Sequence, residues 1–121
     1  EHAQWMADQL PGAVACYAAM GKKKRKQTMD DFRSGKLNRV VSTSLFDEGA
    51  DVPRIEVLIM VSGGRSEVKT IQRTGRALRI CEGKKGALIY DFIDSFSGLM
   101  HKHSKRRHQI YQELKYASNY P

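Results

Sequence analysis

The strongest constraint on the fold is an unbroken run of five apolar residues, VLIMV, at positions 57–61. A strand that is apolar on both of its faces is typical of a parallel sheet, because helices cover both sides of such a sheet. Three further segments with strand character accompany this run, at residues 14–17, 38–43 and 87–91. The sequence therefore favours a fold built on several short parallel strands.

Helical patterns alternate with these strands, and glycine at position 35 is predicted to end the second helix. We predict helices over residues 2–10, 24–32, 66–78 and 98–115. The predicted fold class is α/β, an open, mostly parallel sheet with flanking helices and a basic C-terminal helix. Because a domain of this kind ordinarily begins with a strand, we expect the first strand to precede Glu1.

Charge indicates the class of partner. Lysine and arginine total 21 and the acidic residues total 13, which gives a formal net charge of +8. This balance favours a polyanionic partner, most often nucleic acid, although a soluble basic protein without such a partner has the same composition. Two cysteines do not amount to a disulfide framework, so we expect a reducing, cytoplasmic location, nucleoid-associated in a bacterium. No apolar run approaches the roughly 18 residues of a membrane span, and we expect no membrane partner.

The predicted helix at 66–78 carries side chains suited to phosphate. At about 100° per residue, Gln72, Arg76 and Arg79 fall within about 60° of one another. Planar guanidinium groups match phosphate oxygens, but a solvated basic helix face has the same spacing, so spacing alone leaves both interpretations open. The residues predicted to form the face that packs on the sheet are Val68, Ile71, Gly75 and Leu78.

Two motifs in this part of the chain resemble those of a known family. The pattern Gln-x-x-Gly-Arg-x-x-Arg at 72–79 resembles motif VI of superfamily 2 helicases. Residues 42–53 resemble the motif V of that family, Thr…Glu-Gly-x-Asp-x-Pro, although without this match the acids of the segment would fit a polar loop with helix caps. The interval between the two motifs also matches.

The resemblance covers most of residues 1–95. Gly21, Arg25 and the FRSG sequence at 32–35 resemble the stretch that precedes motif V, and residues 87–94 resemble the closing strand. The chain is thus similar to the C-terminal RecA-like domain of a superfamily 2 DNA or RNA helicase. The resemblance implies a RecA-like domain at 1–96, incomplete at its N-terminus, and a basic helical extension at 97–121.

The resemblance also implies roles in ATP hydrolysis. In this family, two RecA-like domains clamp ATP, and the first carries the phosphate loop and most of the Mg²⁺ site. Arg76 and Arg79 match the arginine fingers, and Gln72 matches a position that couples the cleft to the γ-phosphate. Gly49 and Asp51 match motif V residues near the nucleotide.

The remaining matched positions concern the nucleic-acid partner, which is DNA or RNA, with DNA favoured. Thr43 matches a residue that contacts the backbone, and Ser44 lies beside it. Lys24 and Arg25 belong to the basic run at 22–26, which fits either phosphate contacts or a solvated helix start.

The chain lacks a phosphate-loop sequence and an Asp-Glu box. It is therefore predicted to be the second motor domain of an ATP-dependent helicase or translocase, inactive alone, with the N-terminal RecA-like domain as its partner. The GKKG sequence at 83–86 is predicted to be a turn rather than a phosphate loop. Two alternatives stay open: a non-enzymatic nucleic-acid-binding module on the same fold, and a double-stranded DNA translocase that does not separate strands.

The C-terminal helix is strongly basic, with HKHSKRRH at 101–108. Its three histidines lack nearby acids or cysteines, so a solvated basic face is favoured over a metal site. The helix could dock back on the motor domain or extend along nucleic acid, and the sequence does not decide between them.

Overall fold

The computed structural model describes residues 2–43, 52, 54–61, 67–79 and 81–117; the side chains at 67, 68 and 70 lie outside this description. The chain divides into two compact units, Glu1–Arg54 and Ile55–Pro121. None of the described helices is both long and apolar enough to cross a lipid bilayer.

Unit 1 is built on a pair of parallel strands. Its elements are α1 (His2–Asp8), β1 (Ala13–Cys16), a short 3₁₀ helix (Ala18–Met20), α2 (Lys22–Ser34) and β2 (Arg39–Ser42). The strands pair in parallel from Ala13 opposite Arg39 to Cys16 opposite Ser42. Ala3 and Ala7 from α1 pack with Ala15 from β1 in a buried cluster. Small alanine side chains at the contact allow the α1 backbone to approach the strands closely.

Helix α2 ends where the sequence predicts. Gly35 adopts a left-handed conformation, with φ of 81°, and its N–H donates to the carbonyl of Phe32. Glycine adopts this conformation without the steric cost that a Cβ imposes. The helix begins two residues earlier than predicted, at Lys22, and it buries Thr28 and Met29.

Unit 2 contains a second parallel pair. Its elements are β3 (Val57–Met60), α3 (Glu67–Ala77), β4 (Leu88–Asp91) and α4 (Gly98–Glu113). The register runs from Val57 opposite Leu88 to Met60 opposite Asp91. The predicted α/β class with parallel pairing is therefore confirmed, and the boundaries differ from prediction by a few residues.

The prediction that β3 is buried on both faces is wrong within this unit. Met60 is buried, and the Tyr111 hydroxyl of α4 contacts its sulfur at 3.9 Å. Val57 and Ile59 point to the opposite face and keep about half of their surface, 50% and 56%, exposed. The reason is that α4 packs on the Met60 side, and no described element of unit 2 buries the other side. An apolar run indicates a strand but does not state which of its faces a helix covers.

The sequence left open whether α4 docks back on the domain or extends along nucleic acid. In the structure, α4 docks onto the end of β4. Arg107 is buried, and its guanidinium donates to both carboxylate oxygens of Asp91. Ile110 is also buried, at 2% exposure. The predicted division into a domain at 1–96 and an extension at 97–121 stays a prediction.

Candidate functional site

Helix α3 carries Gln72 and Arg76, and Arg79, the third residue that the sequence assigns to phosphate, follows the helix. It packs through Thr74 and Ala77, both of which are completely buried. The Thr74 hydroxyl lies 3.3 Å from the hydroxyl of Tyr116, which follows α4. This contact lies on the side of α3 that faces the rest of the unit.

The predicted packing face of α3 is therefore wrong. Ile71 is 42% exposed, Gly75 is exposed and Leu78 is half-buried; the side chain of Val68 lies outside the described residues. The buried side of α3 is the one that carries Thr74 and Ala77. It is rotated about the helix axis from the predicted apolar face toward Tyr116. The helix packs through a small polar residue because Tyr116 supplies a hydrogen-bonding partner for it.

Gln72 and Arg76 lie on the side of α3 opposite this contact, since at about 100° per residue they are about 40° apart and roughly opposite to the mean direction of Thr74 and Ala77. Arg79 follows the helix, which ends at Ala77, and its N–H donates to the carbonyl of Arg76. Gln72 and Arg79 are exposed, and Arg76 is half-buried. Gln72 and Arg79 are therefore open to solvent in the described part of unit 2, whereas Arg76 is partly covered.

Arg76 has an unsatisfied donor. Its Nη1 atom is buried and has no hydrogen-bond partner among the residues that the structure describes. A buried donor without a partner costs on the order of 1–3 kcal/mol, and more when the group is charged. An anionic oxygen placed against Nη1 would remove this cost, so Arg76 suits an anionic ligand.

The end of α3 is held by a residue that sequence reasoning missed. Lys84 donates from Nζ to the carbonyl oxygens of Ala77 and Arg79, the latter at 2.7 Å. A lysine at a helix C-terminus satisfies free carbonyls and complements the helix dipole. A turn over residues 81–84, two residues before the predicted turn at 83–86, positions this cap, because the Lys84 N–H donates to the carbonyl of Cys81 and Gly83 has a φ of 79°.

The nucleic-acid candidates that the structure describes belong to unit 1. Thr43 is exposed immediately after β2. Lys24 is exposed and Arg25 half-buried in the first turn of α2, where the Arg25 N–H donates to the Gly21 carbonyl. Burial raises the pKa of the Cys16 thiol, and the positive charge of Arg25 partly offsets this effect.

The other motif V candidates, Ser44, Gly49 and Asp51, lie outside the described residues. No group of three or more potential metal ligands occurs in the described part of the chain. His101, one of the histidines of α4, has its Nδ1 atom 2.9 Å from the carbonyl oxygen of Asp94.

A buried polar network joins β4 to α4. Asp91 accepts from Nε and Nη2 of Arg107 at 2.7 and 2.9 Å and from the Tyr111 hydroxyl at 2.7 Å. The hydrogen bond to Asp91 is the main reason that the pKa of Arg107 is raised. The pKa of Tyr111 is raised mainly by burial and, after that, by its hydrogen bond to the same carboxylate. Sequence reasoning missed this network. The available signal was an arginine and a tyrosine four residues apart on a helix, after a strand that ends in an acid.

With this geometry in view, comparison with known proteins identifies the family. The sequence-family model of the helicase conserved C-terminal domain matches residues 3–81. The chain belongs to this family. The match includes α3, so Gln72, Arg76 and Arg79 lie within the matched residues, and α4 follows them.

Several curated helicases are similar to the chain. It is 33% identical over 84 residues to putative helicase 22 of Sulfolobus islandicus filamentous virus, which covers 68% of the chain and 15% of the viral protein. It is 37% identical over 70 residues to the putative ATP-dependent DNA helicase fml2 of Schizosaccharomyces pombe, covering 58% of the chain and 9% of the relative. The chain thus spans a small part of the length of these relatives.

Solved structures show the same fold. The C-terminal domain of the DEAD-box protein Dbp5 superposes with a TM-score of 0.66 at 18% identity, covering 94% of this chain and 62% of that one. The Saccharomyces cerevisiae Dbp5 C-terminal domain bound to Gle1 and IP6 gives a TM-score of 0.61 at 17% identity, covering 97% and 63%. The predicted RecA-like fold is therefore confirmed.

Proposed function

We propose that the chain is the second motor domain of an ATP-dependent nucleic-acid helicase or translocase. An N-terminal RecA-like domain of the same protein, with a phosphate loop, would complete the ATP site. Membership in the helicase C-terminal domain family supports this proposal. The names of relatives such as fml2 and the Kluyveromyces lactis ATP-dependent DNA helicase MPH1 support ATP as the nucleotide and DNA as the favoured substrate.

The observation that carries the proposal is the state of Arg76. Its Nη1 atom is a buried, charged donor with no partner among the described residues, on the same side of α3 as Gln72. Such a donor fits an oxygen of the γ-phosphate. Lys84 holds the carbonyl of Arg79 and so fixes the end of the helix from which the second guanidinium extends.

The proposed contribution of the chain to hydrolysis is electrostatic. ATP supplies the transferred phosphoryl group, and its Mg²⁺ would be held mainly by the N-terminal motor domain. Arg76 and Arg79 stabilise the negative charge on the transferring group, and Gln72 links the cleft to the γ-phosphate. Because α3 is anchored at Thr74, the helix backbone that carries Gln72 and Arg76 is positioned before ATP binds.

The other matched residues complete the proposal. Gly49 and Asp51 lie near the nucleotide, and Thr43 and Ser44 contact the nucleic-acid backbone. Lys24 and Arg25, at the exposed start of α2, add phosphate contacts.

The test is ATP hydrolysis by the full-length protein in the presence of nucleic acid. Arg76→Ala and Arg79→Ala should each lower kcat by on the order of 10³-fold or more, while ATP binding is largely retained. Arg76→Lys keeps the charge but not the planar fork, and it should restore only part of the activity. Lys85→Ala, at an exposed position in the turn after α3, is the matched control and should hydrolyse ATP as the wild type does. Normal turnover in both arginine variants would contradict the proposal.

A further inference from the structure

The chain turns back on itself directly after α4. The N–H of Lys115 donates to the carbonyl of Gln112, and the N–H of Tyr116 donates to the carbonyl of Tyr111, both at 3.0 Å. Lys115 itself is left-handed, with a φ of 57°. Two such hydrogen bonds around a left-handed residue form the Schellman motif, which commonly ends a helix. The motif brings Tyr116, the residue that follows the turn, back toward the last turn of α4.

Lysine is an unfavourable residue at the centre of this turn. Glycine is the usual one, because a Cβ is crowded in the left-handed conformation. Another residue keeps such a conformation where the surrounding structure holds it in place. Tyr116, the next residue along the chain, makes two side-chain contacts that hold the turn.

The first contact of Tyr116 is with α4. Its ring stacks on that of Tyr111, with the ring centroids 6.1 Å apart and the ring planes inclined by 19°. Tyr111 is fixed in turn, because its hydroxyl donates to the carboxylate of Asp91, at the end of β4, at 2.7 Å. The Tyr116 ring therefore rests on a side chain that is itself bound to β4.

The second contact of Tyr116 is with α3. Its hydroxyl lies 3.3 Å from that of Thr74, which is completely buried. The Thr74 hydroxyl donates to the carbonyl of Ile71 at 3.4 Å, and its oxygen can accept from Tyr116 at the same time. Because a hydrogen bond is directional, it resists sliding and rotation of a helix more than apolar contacts do. Tyr116 therefore links α3 to α4 and, through Tyr111, to β4.

Arg76 belongs to the same turn of α3 as Thr74. The two residues are about 3 Å apart along the helix axis and about 160° apart around it. Arg76 is half-buried, and its Nη1 atom has no hydrogen-bond partner among the described residues. A shift of α3 that breaks the contact at Thr74 moves the backbone of Arg76 with it.

We propose that Tyr116 is a positioning residue for ATP hydrolysis. It acts through Thr74, which sets the place of α3 and hence of the Arg76 guanidinium against the γ-phosphate. A displacement of about 1 Å can lower a catalysed rate by roughly 10²-fold, so a contact that fixes the helix affects the rate. The inference rests on the proposed function, because it names a residue that acts through Arg76. It assigns this role to a residue beyond positions 3–81, which the family model matches.

The experiment compares two affinities of the full-length protein, for fluorescently labelled ADP alone and for the same ADP with Mg²⁺ and aluminium fluoride. The second ligand imitates the transferring phosphoryl group, so an arginine that stabilises this group contributes to the second affinity and little to the first. Tyr116→Phe keeps the stack on Tyr111 and removes the hydroxyl. It should weaken binding of ADP–aluminium fluoride roughly tenfold, change ADP binding by less than about twofold, and lower kcat roughly tenfold.

Comparison variants separate positioning from a loss of folded protein. A loss of folded protein lowers the number of sites for both ligands equally and leaves the ratio of the two affinities unchanged. Adding Tyr116→Phe to Arg76→Lys should cause little further loss of affinity for ADP–aluminium fluoride, because the guanidinium through which the hydroxyl acts is already replaced. Thr74→Ser keeps a hydroxyl opposite Tyr116 and should retain most of this affinity. Tyr90→Phe, which removes a hydroxyl from a tyrosine that is 54% exposed, is the matched control.

A wild-type ratio of the two affinities in Tyr116→Phe, with the ratio reduced in Arg76→Ala, would overturn the inference and leave the proposed function standing. A full further loss when Tyr116→Phe is added to Arg76→Lys would also overturn it, since Tyr116 would then act independently of Arg76. A wild-type ratio in both Tyr116→Phe and Arg76→Ala would overturn the inference together with the arginine-finger assignment. The ratio in Arg76→Ala therefore distinguishes the two failures.

Discussion

Arg107 and Asp91 form a paired contact in which Nε and Nη2 of the arginine donate to the two carboxylate oxygens at 2.7 and 2.9 Å. Both side chains are largely removed from solvent, with 7% and 13% of their surface exposed. The same arginine donates to the carbonyl of Phe92, so it connects α4 to the end of β4 through backbone as well as side chain. The position of α4 therefore depends on this pair more than on any exposed ion pair of the described helix.

Removing the arginine should destabilise the domain strongly. We expect Arg107→Ala to lower the free energy of unfolding by about 3 kcal/mol, because Asp91 is then left charged and partly buried with one partner fewer. Arg106→Ala is the matched control. Arg106 pairs with Glu113 at the surface, where an ion pair contributes about 0–1 kcal/mol. Urea denaturation of both variants measures the difference, and equal stabilities would contradict a structural role for the pair.

The stability of the domain should fall at alkaline pH because of Tyr111. Its folded-state pKa is raised above the ordinary value of about 10 by burial and by the hydrogen bond to Asp91. Above about pH 10 the unfolded state loses this proton while the folded state retains it. The free energy of unfolding then decreases as pH rises toward the folded-state pKa.

The variant Tyr111→Phe isolates this contribution. It should be less stable than the wild type at neutral pH by roughly 1.5–3 kcal/mol, since the hydroxyl donates to a carboxylate. The difference between the two proteins should shrink as pH rises above about 10. Tyr90→Phe, at a position that is 54% exposed and outside the network, is the control. A difference between wild type and Tyr111→Phe that stays constant across this range would exclude Tyr111 as the source.

Thr74 and Tyr116 should be energetically coupled, although 42 residues separate them. Thr74→Val and Tyr116→Phe each remove one side of the contact, and each should cost roughly 0.5–1.5 kcal/mol of stability. In the double variant the cost should be smaller than the sum of the two, because the second substitution finds no partner left to lose. Full additivity would show that the hydroxyl contact does not contribute to the placement of α3.

The sequence predicts the elements well because their signals are local. The run at 57–61 indicates β3, and Gly35 marks the end of α2. Helical periodicity predicts that Gln72 and Arg76 share one side of α3 without any knowledge of tertiary contacts, whereas Arg79, predicted on the same helix, follows its end. These features depend on neighbours within a few residues along the chain.

The predictions that were wrong depend on partners far away in sequence. The buried side of α3 is determined by Tyr116, and the covered face of β3 is determined by α4. The Asp91–Arg107 pair joins residues 16 positions apart across a strand and a helix. Periodicity alone cannot identify such partners, because an apolar stripe has the same pattern whichever neighbour it meets.

Gly75 should separate stability from activity. It lies inside α3, and a Cβ added there would meet no other atom within 4 Å. Because glycine disfavours a helix interior relative to alanine, Gly75→Ala should raise the free energy of unfolding by roughly 0.5–1 kcal/mol. Gly75 lies on the exposed side of α3, between Gln72 and Ile71 around the helix axis. Under the proposed function, ATP and the N-terminal motor domain would approach this side. The same variant should therefore lower ATP turnover of the full-length protein.

Gly35→Ala is the contrasting control, since its left-handed φ of 81° makes alanine destabilising there by roughly 1 kcal/mol. Gain of stability with unchanged turnover in Gly75→Ala would show that nothing approaches this side of α3 during the reaction.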